Sequence, residues 1–174
     1  MAVREVVRYP ARVLKEVAAT VGEPDEADRA LAADLVDTMY DSPGCVGLAA
    51  PQLGASRRVF ALDVSVMRKP PAGNHGLVVL FDPEIVLASG GELKREGCMS
   101  VPDYTCDIQR ATEVVVRGVT PEGAPRVIEA VGFEARAFQH EIDHLDGLLV
   151  LDRVAARSQV FPRKRYAAKG QHLR

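Results

Sequence analysis

The chain has 174 residues, 47% of them apolar, with 22 basic against 24 acidic side chains, a net charge of −2 and three cysteines. One domain spanning 1–174 is the expectation at this length, since such a chain buries a core without needing disulfides or a structural metal. Ordinary apolar content argues against disorder, and no apolar run approaches the ~20 residues of a membrane span, so no membrane role is expected.

The start, Met1-Ala2-Val3-Arg4-Glu5, has no apolar h-region, which makes the cytoplasm the expected location. An odd number of cysteines there reads as thiols rather than bridges. Pro10 followed by Ala11-Arg12-Val13-Leu14-Lys15-Glu16-Val17 predicts a short helix with Val13, Leu14 and Val17 on one face. A second helix is predicted over 25–40. There Leu31, Leu35, Val36 and Met39 recur at helical spacing, acids open the first turn, and Ser42-Pro43-Gly44 stops it. From 57 to 131 the pattern shortens to β-rich runs at 58–64, 77–81, 85–88, 112–119 and 126–130, separated by turns such as Ser89-Gly90-Gly91 and Pro121-Glu122-Gly123. With no strand-helix-strand alternation, the expected class is α+β, with antiparallel sheets packed around a central helix. That helix follows Gly132, turns Phe133, Ala137, Phe138 and Leu145 toward one side, and ends at Asp146-Gly147.

The same helix carries His140-Glu141-Ile142-Asp143-His144, an H-E-x-x-H pattern. At 3.6 residues per turn the two imidazoles lie about 40° apart around the axis and Glu141 about 60° from His144, so all three border one space. A zinc endopeptidase with this motif takes a third ligand downstream, yet only Asp152 and His172 follow, at unfamiliar spacing. Cys98, in Glu96-Gly97-Cys98-Met99-Ser100 at the edge of a β segment, is the better candidate. Two imidazoles and one thiolate leave a position open for water, as in a catalytic site. An ion there lowers the pKa of that water from about 15.7 toward about 7, and Glu141 is placed to take its proton and return it to a leaving nitrogen. Hydrolysis of a carbon–nitrogen bond follows as the reaction class. Gln52, closing the small-residue run Cys45-Val46-Gly47-Leu48-Ala49-Ala50-Pro51-Gln52, offers an NH₂ donor for a developing oxyanion, although such a run by itself usually signals packing.

Three segments together resemble peptide deformylases: Gly47-Leu48-Ala49-Ala50-Pro51-Gln52, Glu96-Gly97-Cys98-Met99-Ser100 and Gln139-His140-Glu141-Ile142-Asp143-His144-Leu145, in the family's order and spacing, within a similarity from about residue 4 to 153. The resemblance implies an enzyme that removes the formyl group from the formyl-methionine of nascent polypeptides. It implies that Cys98, His140 and His144 hold one divalent ion, natively Fe²⁺ in many members, with Zn²⁺, Ni²⁺ or Co²⁺ as the other metals such donors accept. It also implies that Glu141 is the general acid/base and that the Gln52 side chain and Met99 backbone N–H stabilise the oxyanion. The peptide would lie as an added strand along Val46, Gly47 and Gly97, its methionine near Val46, Phe133, Ala137 and His140. Glu96, Arg110 and Gln139 are candidates for orienting the ligands.

The family's first motif commonly begins with glycine where this chain has Cys45, which reads either as a thiol at the cleft entrance or as a buried small residue. Cys106 reads as packing, His75 as a loop residue. Residues 153–174 hold seven Lys or Arg and no acid, leaving 15 basic against 24 acidic in residues 1–152, a net of −9. This basic C-terminal tail, 154–174, with Arg157, Arg163, Lys164, Arg165, Lys169 and Arg174, could meet RNA at the ribosome or be a solvated end; no DNA contact is expected. The competing readings are an H-E-x-x-H metallopeptidase and an inactive relative that binds formyl-peptides.

Overall fold

In a computed structural model that describes residues 2–163, Asp25 caps the first long helix, α1 (Glu26–Asp41), by accepting the Asp28 backbone N–H at 2.8 Å. The Asp28 carboxylate accepts the Asp25 N–H in return and is held by the Arg57 guanidinium at 2.7 and 2.8 Å. These bonds satisfy donors that a helix start otherwise leaves open. The segment after Pro10 makes only one 3-10 turn, Arg12–Lys15, that buries Leu14. Val17, expected on the same face, is 70% exposed, because the chain has already left the helical path at Glu16.

Among the described residues, eight strands form two antiparallel sheets. β1 (Gly47–Ala49), β2 (Val59–Leu62), β3 (Val78–Ser89), β6 (Glu113–Val119) and β7 (Pro125–Val131) make one, in the order β1-β2-β3-β6-β7. β4 (Glu92–Cys98), β5 (Val101–Arg110) and β8 (Val160–Pro162) make the other, in the order β4-β5-β8. The runs 77–81 and 85–88, expected as two strands, are one. Asp82 takes a positive φ of 45° ahead of Pro83, and the register with β6 slips between Phe81 and Glu84 and again between Ile85 and Leu87. Proline has no N–H to give the ladder, so it sits where the strand bulges, and the Asp82 carboxylate accepts the Val21 and Gly22 N–H groups instead.

The side-chain alternation of β2 explains the layering. Val59 and Ala61 face one way, onto Leu35 and Met39 of α1; Phe60 and Leu62 face the other, onto the second helix, α2 (Gly132–Leu145). Phe138 of α2 is fully buried and meets Phe60 edge-on, ring centres 5.7 Å apart, a favoured aromatic geometry. A third cluster, with Leu14, Cys98, Cys106, Ile108 and Leu149, fills the space under the three-stranded sheet. α2 therefore lies between the two sheets, one face apolar and the opposite face polar. It ends at Gly147, φ 72°, where an added Cβ would stand 2.9 Å from the Lys15 backbone, so the left-handed turn and the close approach both require glycine. No helix among the described residues is long and apolar enough to cross a membrane.

Candidate metal centre

The polar face of α2 meets the end of β4. Cys98, His140 and His144 converge there, their donor atoms all within 4.8 Å of one another, with Cys98 Sγ 3.2 Å from His144 Nε2 and the two imidazole rings 5.0 Å apart at 78°. Burial alone would raise the Cys98 pKa, but His144 and His140 beside it hold the thiol well below its ordinary value. That favours the thiolate, the form that binds metal. A thiolate and two imidazoles within this span suit a transition-metal ion with a coordination position to spare. Glu141 adjoins them, 4% exposed, with Oε2 buried and unpartnered, and burial pushes its pKa up to about 7. A buried acceptor without a donor is costly, so this oxygen is set to meet a proton-bearing group that enters the site.

Cys98, His140 and Glu141 line a cleft of about 700 Å³ that also exposes Cys45, Val46, Gly47, Gln52, Glu96, Gly97, Met99, Phe133 and Ala137. Of the site residues expected from the sequence, all but His144 border this cleft, and His144 is buried beside Cys98. β1 and β4 are terminal strands of their sheets, and both border this cleft. Phe133, expected on one side of α2 and near the methionine, lines the cleft and is 41% exposed. Gln52 is 2% exposed: its Oε1 accepts the Ala49 N–H at 3.0 Å, and its Nε2 points to Ser100 Oγ at 3.2 Å and Cys98 Sγ at 3.7 Å. Gly47 leaves room for Glu141, since a Cβ there would stand 2.8 Å from the Glu141 carboxyl carbon and nearer still to Oε1. The Cys45 thiol, half-buried, donates to the Gly47 carbonyl at 3.1 Å, and burial pushes its pKa up to about 12. Cys106 is fully buried in the third cluster.

Glu96 orients the first histidine. Its carboxylate accepts from His140 Nδ1 at 3.0 Å, from Arg110 at 2.9 and 3.0 Å, and from Arg136 at 2.6 Å. Burial would raise its pKa, but the hydrogen bonds from His140 and Arg110 overcome that and bring it to about 2. Fixing the Nδ1 proton on Glu96 leaves Nε2 free to face a metal. Arg110 continues to Asp143 at 2.5 Å, and Asp143 pairs in turn with Arg153. The sequence pointed to Glu96 and Arg110; Arg136, Asp143 and Ser100 went unnoticed. Arg136 carried a usable signal, standing four residues before His140 on the same helical face. The Gln139 side chain bonds the Ala111 backbone at 2.9 and 3.0 Å, fixing α2 to the strand connection. His75 pairs with Glu134 at 2.9 Å.

Such a framework, with one cleft between an H-E-x-x-H helix and a strand-borne cysteine, defines the class of amide hydrolases built on a Cys-His-His donor set beside a carboxylate. The chain belongs to the polypeptide deformylase family, whose family model matches residues 3–160. It is 40% identical over 169 residues to a peptide deformylase of Thermodesulfovibrio yellowstonii, covering 97% of this chain and 99% of the relative. To one of Syntrophobacter fumaroxidans it is 43% identical over 154 residues, 88% of each chain. Among solved structures, the Met-Ala-Ser-bound class I type b peptide deformylase of Acinetobacter baumannii superposes with a TM-score of 0.81 at 35% identity, covering 88% of this chain and 99% of that one. The Thermotoga maritima enzyme gives 0.80 at 34%, covering 90% and 100%. Of the basic tail, 154–163 falls within the described residues and includes β8; Lys164, Arg165, Lys169, His172 and Arg174 lie outside them.

Proposed function

We propose that the protein removes the N-formyl group from the formyl-methionine of nascent polypeptides, releasing formate, at an ion held by Cys98, His140 and His144. The observation that carries this is the convergence of those three donors beside buried Glu141, in a cleft bordered by two terminal strands. A divalent cation in that donor set supplies Lewis acidity, lowering the pKa of water and polarising a carbonyl. Fe²⁺ is the native ion we propose, and Zn²⁺, Ni²⁺ or Co²⁺ fit the same donors.

Glu141 takes a proton from the attacking water, which adds to the formyl carbon; it delivers that proton to the methionine nitrogen as the carbon–nitrogen bond breaks. Its raised pKa, about 7, suits a group that must both accept and donate near neutrality. The Gln52 NH₂ group and the Met99 backbone N–H stabilise the oxyanion, a placement supported by Gln52 Nε2 standing 3.7 Å from Cys98 Sγ. The peptide lies as a strand along Val46, Gly47 and Gly97, and its methionine side chain packs on Val46, Phe133 and Ala137. Such a substrate places the enzyme in the cytoplasm, in one catalytic domain that meets new chains at the ribosome.

The test is anaerobic purification with metal analysis, then formate release from formyl-Met-Ala-Ser by wild type and Glu141→Ala. Wild type alone should release formate, with metal retained in both. A wild-type protein that holds metal but releases no formate from this peptide would overturn the proposal.

A further inference from the structure

The last described strand brings one more charge to the cleft. β8 pairs with β5 through Val160, Phe161 and Pro162, and the Arg163 N–H donates to the Asp103 carbonyl at 2.8 Å. Arg95, paired with Asp107 at 2.5 Å, stacks 3.5 Å over the Phe161 ring, a cation–π contact that fixes the strand to β4. Arg163 is thereby held at the cleft wall, which it lines together with Gly97 and Thr105. Its Nη2 lies 3.4 Å from the Cys98 carbonyl. A Cβ on Gly97 would stand 3.1 Å from its Cζ and nearer still to Nη2, so the guanidinium occupies the space that glycine leaves open.

The other guanidinium groups of the cleft are matched. Arg95 has Asp107, and Glu96 has Arg110, Arg136 and His140. Among the described residues no carboxylate pairs with the Arg163 side chain; its one polar contact there is the long one to a carbonyl, weak enough to give up. A planar guanidinium in that state is a ready receptor for a carboxylate, which it can grip with two parallel hydrogen bonds.

We infer that Arg163 is a specificity-determining residue that favours formyl-peptides carrying a carboxylate side chain within the two residues after methionine. This rests on the deformylase reading and on the peptide strand running along Gly97. A strand advances about 3.4 Å per residue, and Arg163 stands beside Gly97, the neighbour of ligand Cys98, so only the first residues past the methionine come within its reach. As the peptide takes the β4 edge, the guanidinium leaves the Cys98 carbonyl and moves over the incoming chain.

The experiment measures kcat/KM for metal-loaded enzyme on formyl-Met-Ala-Ser, formyl-Met-Asp-Ser and formyl-Met-Ala-Asp and on the two lysine counterparts, all C-terminally amidated so that no terminal carboxylate contributes. Wild type should prefer aspartate over lysine by about threefold to tenfold at low salt, through KM, with the difference shrinking as salt rises. Arg163→Gln should level the series, Arg163→Glu should invert it, and Arg163→Lys should keep its order. Two results overturn the inference: an unchanged order in Arg163→Gln and Arg163→Glu, or an equal rise for every peptide in Arg163→Gln, which would mark the guanidinium as an obstruction. An active wild type blind to charge defeats the inference alone, whereas no formate from any of these peptides defeats the deformylase reading beneath it.

Discussion

Gly47→Ala is a small change with a defined mechanical consequence. The new Cβ would stand 2.8 Å from the Glu141 carboxyl carbon and 3.0 Å from its Cγ, where ordinary contact begins at 3.4 Å. Glu141 is 4% exposed on a helix packed between two sheets, so the backbone cannot yield and the carboxylate must retreat by at least about 0.6 Å, the difference between contact and the built distance. Displacements of up to about 1 Å in a reacting group cost on the order of 10²-fold, or about 2.7 kcal/mol of transition-state stabilisation. The three metal donors are not touched. We therefore expect kcat/KM for formate release from formyl-Met-Ala-Ser to fall between about tenfold and a hundredfold, chiefly through kcat. Metal content should match wild type, and the thermal midpoint should shift little. A variant that keeps its wild-type kcat and loses only KM would refute the reasoning, since the methyl would then be obstructing the peptide and not moving Glu141.

Glu96→Gln should weaken metal retention about 10- to 100-fold in competition with a chelator, because His140 loses the carboxylate that orients it; unchanged affinity would remove Glu96 from that role. Phe138→Ala should cost about 3–5 kcal/mol of stability and lower the melting temperature on the order of 10 °C, measured by calorimetry on metal-loaded protein. Asp63 supplies a pH test. Burial would raise its pKa, but bonds from Ser65 and Tyr40, the latter 2.6 Å long, bring it below the ordinary aspartate value. Its contribution is present above the unfolded pKa, about 3.9, and is lost as pH falls through the lower folded value. Melting temperature should therefore drop less steeply with acid below about pH 4 in Asp63→Asn than in wild type, and parallel curves would contradict this.

The sequence was most legible where one physical demand dominates a segment. α1 and α2 showed themselves through apolar spacing, caps and stops, and the metal donors through the helical geometry of His140, Glu141 and His144. β4 escaped notice because its inward positions carry Glu96 and Cys98 while Leu93 is 51% exposed. A strand that faces an ion-pair network has no apolar alternation to read. β3 looked broken because Asp82 and Pro83 resemble a turn, and only the pairing partner β6 reveals a bulge that continues the strand. Arg163 could not be singled out at all: it was one basic residue among several in the tail until β8 joined the sheet and set it beside Gly97.

An unpaired strand edge will accept any extended chain that reaches it, a second copy of the same protein included. β4 answers this hazard in its own letters, Glu92-Leu93-Lys94-Arg95-Glu96. Two copies joined antiparallel about Lys94 would set Lys94 against Lys94 and Glu92 against Glu96; joined half a step along, Lys94 would face Arg95. Like charges directly opposite oppose pairing, so the palindromic spacing of these charges discourages edge-to-edge aggregation while leaving the edge open to a chain of different sequence.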